Sequence, residues 1–243
     1  MHRPYLPQFV GLFTLLIGLT QIGGAQTTSN GWGMVFVNGP FRKDWGLHLD
    51  AQIRSDDKSR DVKTWLVRAG IQRKLNGRNT VALGYAFIQT NTTPVKQGAS
   101  TPEHRIWQQW IHIQPLGITS LQHRFRLEER FIERPRAENG TGTESVYSTR
   151  IRYFNRLLIP WSLKKNFQKG LFISVQNEVF LNLTGKAQIN GHHYDQNRFY
   201  TALGYRAHRT WDLELGYMRR NIRLQSGSSN QNIWQIATYL RPE

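Results

Sequence analysis

Trp45-Gly46-Leu47-His48-Leu49-Asp50-Ala51-Gln52-Ile53-Arg54 changes character at every step. Leu47, Leu49, Ala51 and Ile53 fall on one side of an extended chain, and His48, Asp50, Gln52 and Arg54 on the other. Successive side chains of a strand point to opposite faces, so this alternation specifies a β-strand held between two unlike environments. The same pattern recurs along almost the whole chain, in segments of about ten residues divided by turn-forming residues. We read strands over Gly31–Asn38, Trp45–Arg54, Trp65–Leu75, Asn79–Gln89, His104–Gln114, Thr119–Ile132, Val146–Leu158, Leu171–Asn182, Gln196–Ala207, Trp211–Asn221 and Asn232–Leu240. Helical i, i+3, i+4 apolar spacing is not sustained after Ala25. Strands of this length with two-sided patterning predict an all-β fold, a transmembrane up-and-down antiparallel β-barrel of 10–12 strands with a greasy outside and a polar lumen.

The count raises a question. Eleven segments are legible, whereas bacterial barrels use even numbers. Starting at Trp45 gives ten strands with both ends on one side, and Gly31–Asn38 is then extra unless a partner strand makes twelve.

The start of the chain reads as an export signal. Arg3 supplies a positive charge, Phe9–Leu19 an apolar core, and Gly23-Gly24-Ala25 small residues suited to cleavage. The expected organisation is a signal peptide over residues 1–25 and one barrel domain over 26–243. Beyond Ala25 no apolar run approaches the ~18 residues of a membrane-spanning helix. The negative mean hydropathy does not argue against a membrane barrel, because only alternate residues of each strand meet lipid.

The chain has no cysteine, which excludes thiolate metal sites and thiol nucleophiles. Its formal charge is +16. The basic residues are spread through strands and form no tail or helix, so an exported barrel of this kind points away from nucleic acid. It points toward lipopolysaccharide phosphates outside and small anionic solutes inside.

Connections alternate in length. Asn76-Gly77-Arg78-Asn79, Pro115-Leu116-Gly117 and His208-Arg209-Thr210 are tight; Ser55–Thr64, Thr90–Glu103, Glu133–Ser145, Leu183–Asp195 and Ile222–Gln231 are long and polar. Outer-membrane barrels have short periplasmic turns and long extracellular loops, which orients the chain in a bacterial outer membrane. Phe41, Trp45, Trp161, Phe167 and Trp211 fall near the short turns, where an aromatic girdle is expected.

Charges sort by parity. Gln122, Arg124, Arg126, Glu128 and Arg130 share a face that lipid cannot accept, while Leu121, Phe125, Leu127 and Phe131 share the other with two polar exceptions, His123 and Glu129, expected near the membrane interfaces. The same logic turns Ser148, Arg150, Arg152, Arg156, Gln176, Glu178, Asn182, Arg198, Arg206, Asp212, Glu214 and Arg220 inward. Matching inward residues across the connections places Asp50 opposite Arg68, Glu128 opposite Arg150, Arg152 opposite Glu178, Glu178 opposite Arg198, and Arg206 opposite Asp212. The expected lumen network is Asp50, Arg68, Arg126, Glu128, Arg130, Arg150, Arg152, Glu178, Arg198, Arg206 and Asp212. It serves either as structural filling or, because arginine outnumbers carboxylate, as a path for anions. Gly70, Gly84, Ala86, Gly204 and Gly216 are small luminal residues that could leave room for such a passage.

No nucleophile elbow, P-loop, zinc-protease helix or dinucleotide fingerprint is present. Asp56-Asp57 and His192-His193-Tyr194-Asp195 lie on long loops, so a rim hydrolase using a His/Asp pair is the alternative from another class. No catalytic residue, metal site or cofactor is assigned.

Several segments resemble a known family. They are Glu103-His104-Arg105-Ile106-Trp107-Gln108-Gln109, Arg124-Phe125-Arg126-Leu127-Glu128-Glu129-Arg130-Phe131, Arg150-Ile151-Arg152-Tyr153, Asn177-Glu178-Val179-Phe180-Leu181-Asn182, Asp195-Gln196-Asn197-Arg198 and Leu203-Gly204-Tyr205. Together, from about Trp45 to Leu240, they are similar to domain of unknown function 2490. That resemblance implies an outer-membrane-type barrel of Bacteroidetes-like Gram-negative bacteria with no assigned activity, and it carries over no catalytic residue. The expected protein is therefore a monomeric barrel whose partners are the lipid bilayer and lipopolysaccharide. Leu47, Leu127, Val179 and Leu215 converging on a dry centre would instead make it a soluble sandwich.

Overall fold

The computed structural model describes residues 27–55, 61–91, 100–135, 143–162 and 166–243. The leader read over residues 1–25 and the Asp56-Asp57 pair lie outside them. The strands are β1 (Thr27–Arg42), β2 (Trp45–Ser55), β3 (Val62–Lys74), β4 (Asn79–Asn91), β5 (Ser100–Leu116), β6 (Thr119–Pro135), β7 (Thr143–Pro160), β8 (Gly170–Asn182), β9 (Tyr194–His208), β10 (Trp211–Arg223) and β11 (Ser228–Leu240). One turn of helix, α1 (Lys186–Ile189), interrupts the β8–β9 connection.

Every strand pairs antiparallel with its neighbours in sequence, and the eleven close into a barrel through β1 and β11. That last pair is parallel, running from Thr27 opposite Asn230 to Val37 opposite Leu240. Parallel closure follows from the odd count: strand direction alternates along the chain, so the first and eleventh strands point the same way. The Gly31–Asn38 segment is thus an integral stave within a longer β1, and the even number usual for bacterial barrels does not hold here. The odd count also places Thr27 at the rim with the long loops and Leu240 at the rim with the tight turns.

Alternation decides which face is the wall. In β2, Leu47, Leu49 and Ile53 are exposed while His48, Asp50 and Gln52 are buried. Leu47 is 45% and Leu215 55% exposed, against 1% for Arg126 and 0% for Glu128. The charges are inside and the apolar side chains outside, the reverse of a soluble sandwich. A band of exposed Leu, Ile, Val and aromatic side chains far exceeds what a water-facing surface carries, and it suits acyl chains.

The tight turns have local causes. Between β3 and β4, Asn76 Oδ1 accepts hydrogen bonds from the backbone N–H of Arg78 and of Asn79, each at 2.9 Å, an Asx turn. Between β5 and β6, Gly117 takes φ +65°, a conformation that side chains with Cβ disfavour. Phe41, Trp45, Trp161 and Trp211 stand exposed near such turns. Phe167 does not join them. Its ring packs edge-on against luminal Phe172 at 6.1 Å and beneath the Arg206 guanidinium at 4.9 Å, so it turns toward the lumen and not toward lipid.

Outward polar residues satisfy one another. Asn79 Oδ1 accepts from Trp110 Nε1 at 3.1 Å and His112 Nδ1 at 2.9 Å. His112 lies across from His123, which shares a 2.8 Å hydrogen bond with the Tyr153 hydroxyl. Asn155 lies across from Asn177, and Asn177 and Asn197 exchange amide hydrogen bonds at 3.4 and 3.2 Å. Asn221 donates to Asn230 at 2.9 Å. The polar positions thus form an oblique seam from the tight-turn end of β4 to the long-loop end of β11, in which His123 is one member. Glu129 is separate from it, flanked by Ile106 and Thr149.

Candidate functional site in the barrel lumen

The inward faces of β2 to β10 converge on a charged interior. Glu128 of β6 accepts from Arg150 Nη2 and Arg152 Nη1, both at 2.6 Å, with Arg105 at 3.7 Å. Glu178 of β8 accepts from Arg152 Nη2 at 2.6 Å and Arg124 at 2.8 Å, with Arg198 at 3.9 Å. Arg152 therefore bridges two carboxylates on different strands. Arg150 does the same between Glu128 and Asp195, at 2.8 Å from the latter. The guanidinium groups of Arg150, Arg152 and Arg198 lie over the fully buried ring of Phe180 at 5.0, 4.5 and 4.6 Å, so one aromatic ring is shared by three cations.

Smaller clusters flank this centre. Glu103 is held by Arg105 and Arg130, each at 2.6 Å. Asp50 pairs with Arg68, directly across the β2–β3 ladder. Asp212 takes a two-pronged bond from Arg206 at 2.7 and 2.9 Å, and Arg241 from beyond β11 at 2.8 Å. Arg156 of β7 reaches Glu214 of β10.

Three registers differ in interest. Glu128 faces Arg150, Glu178 faces Arg198 and Arg206 faces Asp212 directly. Arg152 faces Phe180, however, and Glu178 faces Phe154. The Arg152–Glu178 pair is diagonal: the β7–β8 ladder is shifted two residues from the register that charge matching alone suggests, and the long arginine side chain covers the difference. Arg126 is inside but has no carboxylate within 4 Å among the described residues. Its Nε and Nη2 donate to Gln109 Oε1 at 2.9 and 2.5 Å, and its guanidinium lies 4.8 Å from the Trp107 ring.

Glu103, Arg105, Arg124, Arg156, Asp195 and Glu214 also belong to the network. Glu103 reads as loop because Pro102 precedes it, yet β5 begins at Ser100 and tolerates the proline near its end. Asp195 escapes parity because the β8–β9 register shifts there, with Phe180 opposite Gln196 and Leu181 opposite Tyr194. The others were legible from parity.

Aromatic rings lie against several of the small luminal residues. A Cβ on Gly70 or Gly84 would come within 2.5 Å of the Trp107 ring, and one on Gly204 would strike Phe172. These glycines make room for the aromatic side chains of Trp107 and Phe172. Trp107, Arg126, Phe172, Phe180 and Tyr200 are each under 2% exposed.

The His/Asp constellation of the β8–β9 loop does not assemble. Asp195 turns into the lumen toward Arg150. His193 donates from Nδ1 to the Asn182 carbonyl at 3.0 Å and accepts at Nε2 from Lys186 at 2.8 Å. The loop folds over the mouth instead: Ser148 Oγ donates to the Thr184 carbonyl, Arg134 to that of Gln188 at 2.7 Å, and Asn190 Nδ2 to that of Arg223 at 3.1 Å. Among the described residues no group of three His, Asp or Glu side chains is placed to hold a metal.

Sequence comparison bears on this interior. The profile of the family described as "Protein of unknown function (DUF2490)" matches residues 29–232, which include every inward charge named above except Arg241. The chain belongs to this family. No curated protein matches the sequence of this DUF2490 member. Among solved structures it is similar to the NanC porin in a rhombohedral crystal form, with a TM-score of 0.50 and 9% identity over 87% of this chain and 97% of that one. At that identity the likeness is one of fold: a porin-type closed barrel.

Proposed function

We propose that this DUF2490 protein is a non-enzymatic outer-membrane barrel whose lumen is sealed by its own ion pairs and aromatic rings. The observation that carries this reading is contact across the lumen. Arg156 of β7 meets Glu214 of β10, and its guanidinium lies 4.7 Å from the ring of Tyr239 on β11. A barrel of this size has little more than side-chain-sized space inside, and such contacts fill it. The wall meets lipid, and Lys63, Arg219 and Arg223, outward at the long-loop ends of β3 and β10, are suited to lipopolysaccharide phosphates. Membrane fractionation tests the location, and planar-bilayer recording of the refolded chain tests the seal. Silent bilayers are the expected result; a steady ohmic conductance overturns it.

A second reading is a narrow anion-favouring passage. It is favoured by Arg54, Arg126 and Arg220, inward arginines without a carboxylate within 4 Å among the described residues. Anion-selective current that disappears in Arg152→Ala and Arg198→Ala would establish it in place of the sealed barrel.

A further inference from the structure

Three arginines from three strands surround one indole at the long-loop end of the lumen. The guanidinium carbons of Arg54 (β2), Arg198 (β9) and Arg220 (β10) lie 4.2, 5.1 and 5.9 Å from the ring centre of Trp32 on β1. Trp32 is itself buried on Tyr200, Ala202, Met218 and Ile233, so the platform is fixed.

What surrounds these cations differs from most of the lumen. Most luminal arginines are answered by carboxylate, Arg126 on Gln109 being an exception. Here it is answered by glutamine: Arg54 Nη2 donates to Gln52 Oε1 at 2.7 Å, and Arg220 donates from Nε to Gln196 Oε1 at 2.6 Å and from Nη1 to Gln231 Oε1 at 3.0 Å. Arg198 Nη2 adds a 3.4 Å bond to Gln196. Its one carboxylate within 4 Å among the described residues, Glu178 at 3.9 Å, is already held by Arg152 and Arg124. Amide oxygens orient a guanidinium without neutralising it. The cluster keeps its positive charge where the dielectric is low and the three groups repel one another.

Two donors are unanswered among the described residues. Arg54 Nε and Arg198 Nε are buried and have no hydrogen-bond partner there. An unmet buried donor on a charged group is costly, and a bound oxyanion can accept from such donors. The three arginines are partly exposed, unlike Arg126 deeper in the barrel, so the β8–β9 loop that folds over this end does not bury them completely.

We infer that Arg54, Arg198 and Arg220 around Trp32 form a binding station for a soluble oxyanion, a phosphate or carboxylate, entering from the long-loop end. The arginines face the lumen, so the ligand is a free solute and not a lipid headgroup in the surrounding bilayer. The inference does not depend on the lumen conducting: a sealed barrel can bind at its mouth.

The test is calorimetric titration of the full chain, refolded in detergent micelles, with inorganic phosphate and with glucuronate, against chloride at matched ionic strength. Saturable binding of either oxyanion is expected, weakened at least tenfold in Arg54→Gln and in Arg220→Gln and unchanged in Arg209→Gln, whose side chain is exposed on a distant turn. No saturable binding to the wild-type chain, or undiminished binding in both variants, overturns the inference. Should the variants not fold, thermal unfolding of the wild-type barrel decides: the midpoint rises with phosphate beyond the chloride control if the station is real, and the two curves coincide if it is not.

Discussion

Arg156 and Glu214 are joined across the lumen although β8 and β9 lie between their strands in the wall. Such a contact cannot form within a hairpin; it requires the sheet to curve strongly toward its own inner face. Tyr239 donates its hydroxyl to the same carboxylate at 3.3 Å, tying the last strand into the same junction.

Breaking that junction on one side leaves a buried charge unanswered. Glu214→Gln should therefore lower the unfolding free energy by about 3 kcal/mol or more. Replacing both partners, as Arg156→Met with Glu214→Leu, should cost clearly less. Denaturant unfolding in micelles, followed by the mobility shift of the folded barrel on gels, measures both. A double variant as unstable as the single would show that the ion pair is not what holds this junction.

Arg126 and Glu128 are neighbours in parity but should respond with opposite sign. Glu128 answers Arg150 and Arg152, so Glu128→Gln strands two cations and should destabilise strongly. Arg126 has no carboxylate within reach among the described residues, so Arg126→Met removes an uncompensated buried charge while keeping most of its volume on Trp107. Its stability should be unchanged or raised. The same unfolding assay separates the two outcomes.

Aromatic plugs should control permeability. Trp107→Ala removes the ring that covers Gly70 and Gly84, at a stability cost of about 3–5 kcal/mol. The vacated space is bordered by apolar Leu66, Ala82, Ala86 and Ile88 as well as by His48 and Arg126; water entering beside the polar groups should carry ions, so bilayers silent with the wild type should show discrete openings. Gly84→Ala should act differently. Its Cβ would meet the Trp107 ring at 2.5 Å and the Ala69 carbonyl more closely still, so the yield of folded barrel should fall with no new conductance.

On the outer wall, Leu215→Arg should destabilise by about 2–4 kcal/mol if the residue sits near the bilayer midplane. The long-loop end of the same strand already carries Arg219 on the outward face, so a cation there is tolerated. Folding yield into lipid vesicles compares Leu215→Arg with Leu215→Ala; equal yields would place Leu215 outside the apolar band.

Much of this was open to reading in the chain itself. Leu47 against His48, or Leu127 against Glu128, states which residues share a face, because a strand's period is two whatever its partners are. Family membership likewise rests on short charged segments in a fixed order. Charge matching also located pairs such as Arg206 with Asp212, since the tight turn at His208-Arg209-Thr210 leaves little freedom of register. It failed where the chain is less constrained. The long side chain of Arg152 reaches Glu178 from a ladder shifted by two, and the irregular register at Asp195 turns a loop acid into a luminal one.

Parity along the chain therefore determined the strands, the apolar exterior and the charged interior, because those follow from backbone geometry one residue at a time. Closure was decided only in three dimensions. The parallel seam of β1 and β11, the covering of Gly84 by Trp107, and the gathering of Arg54, Arg198 and Arg220 on Trp32 all join residues from strands that are distant in sequence. No local period encodes them, because they depend on the number of staves and on which side chains meet across the interior.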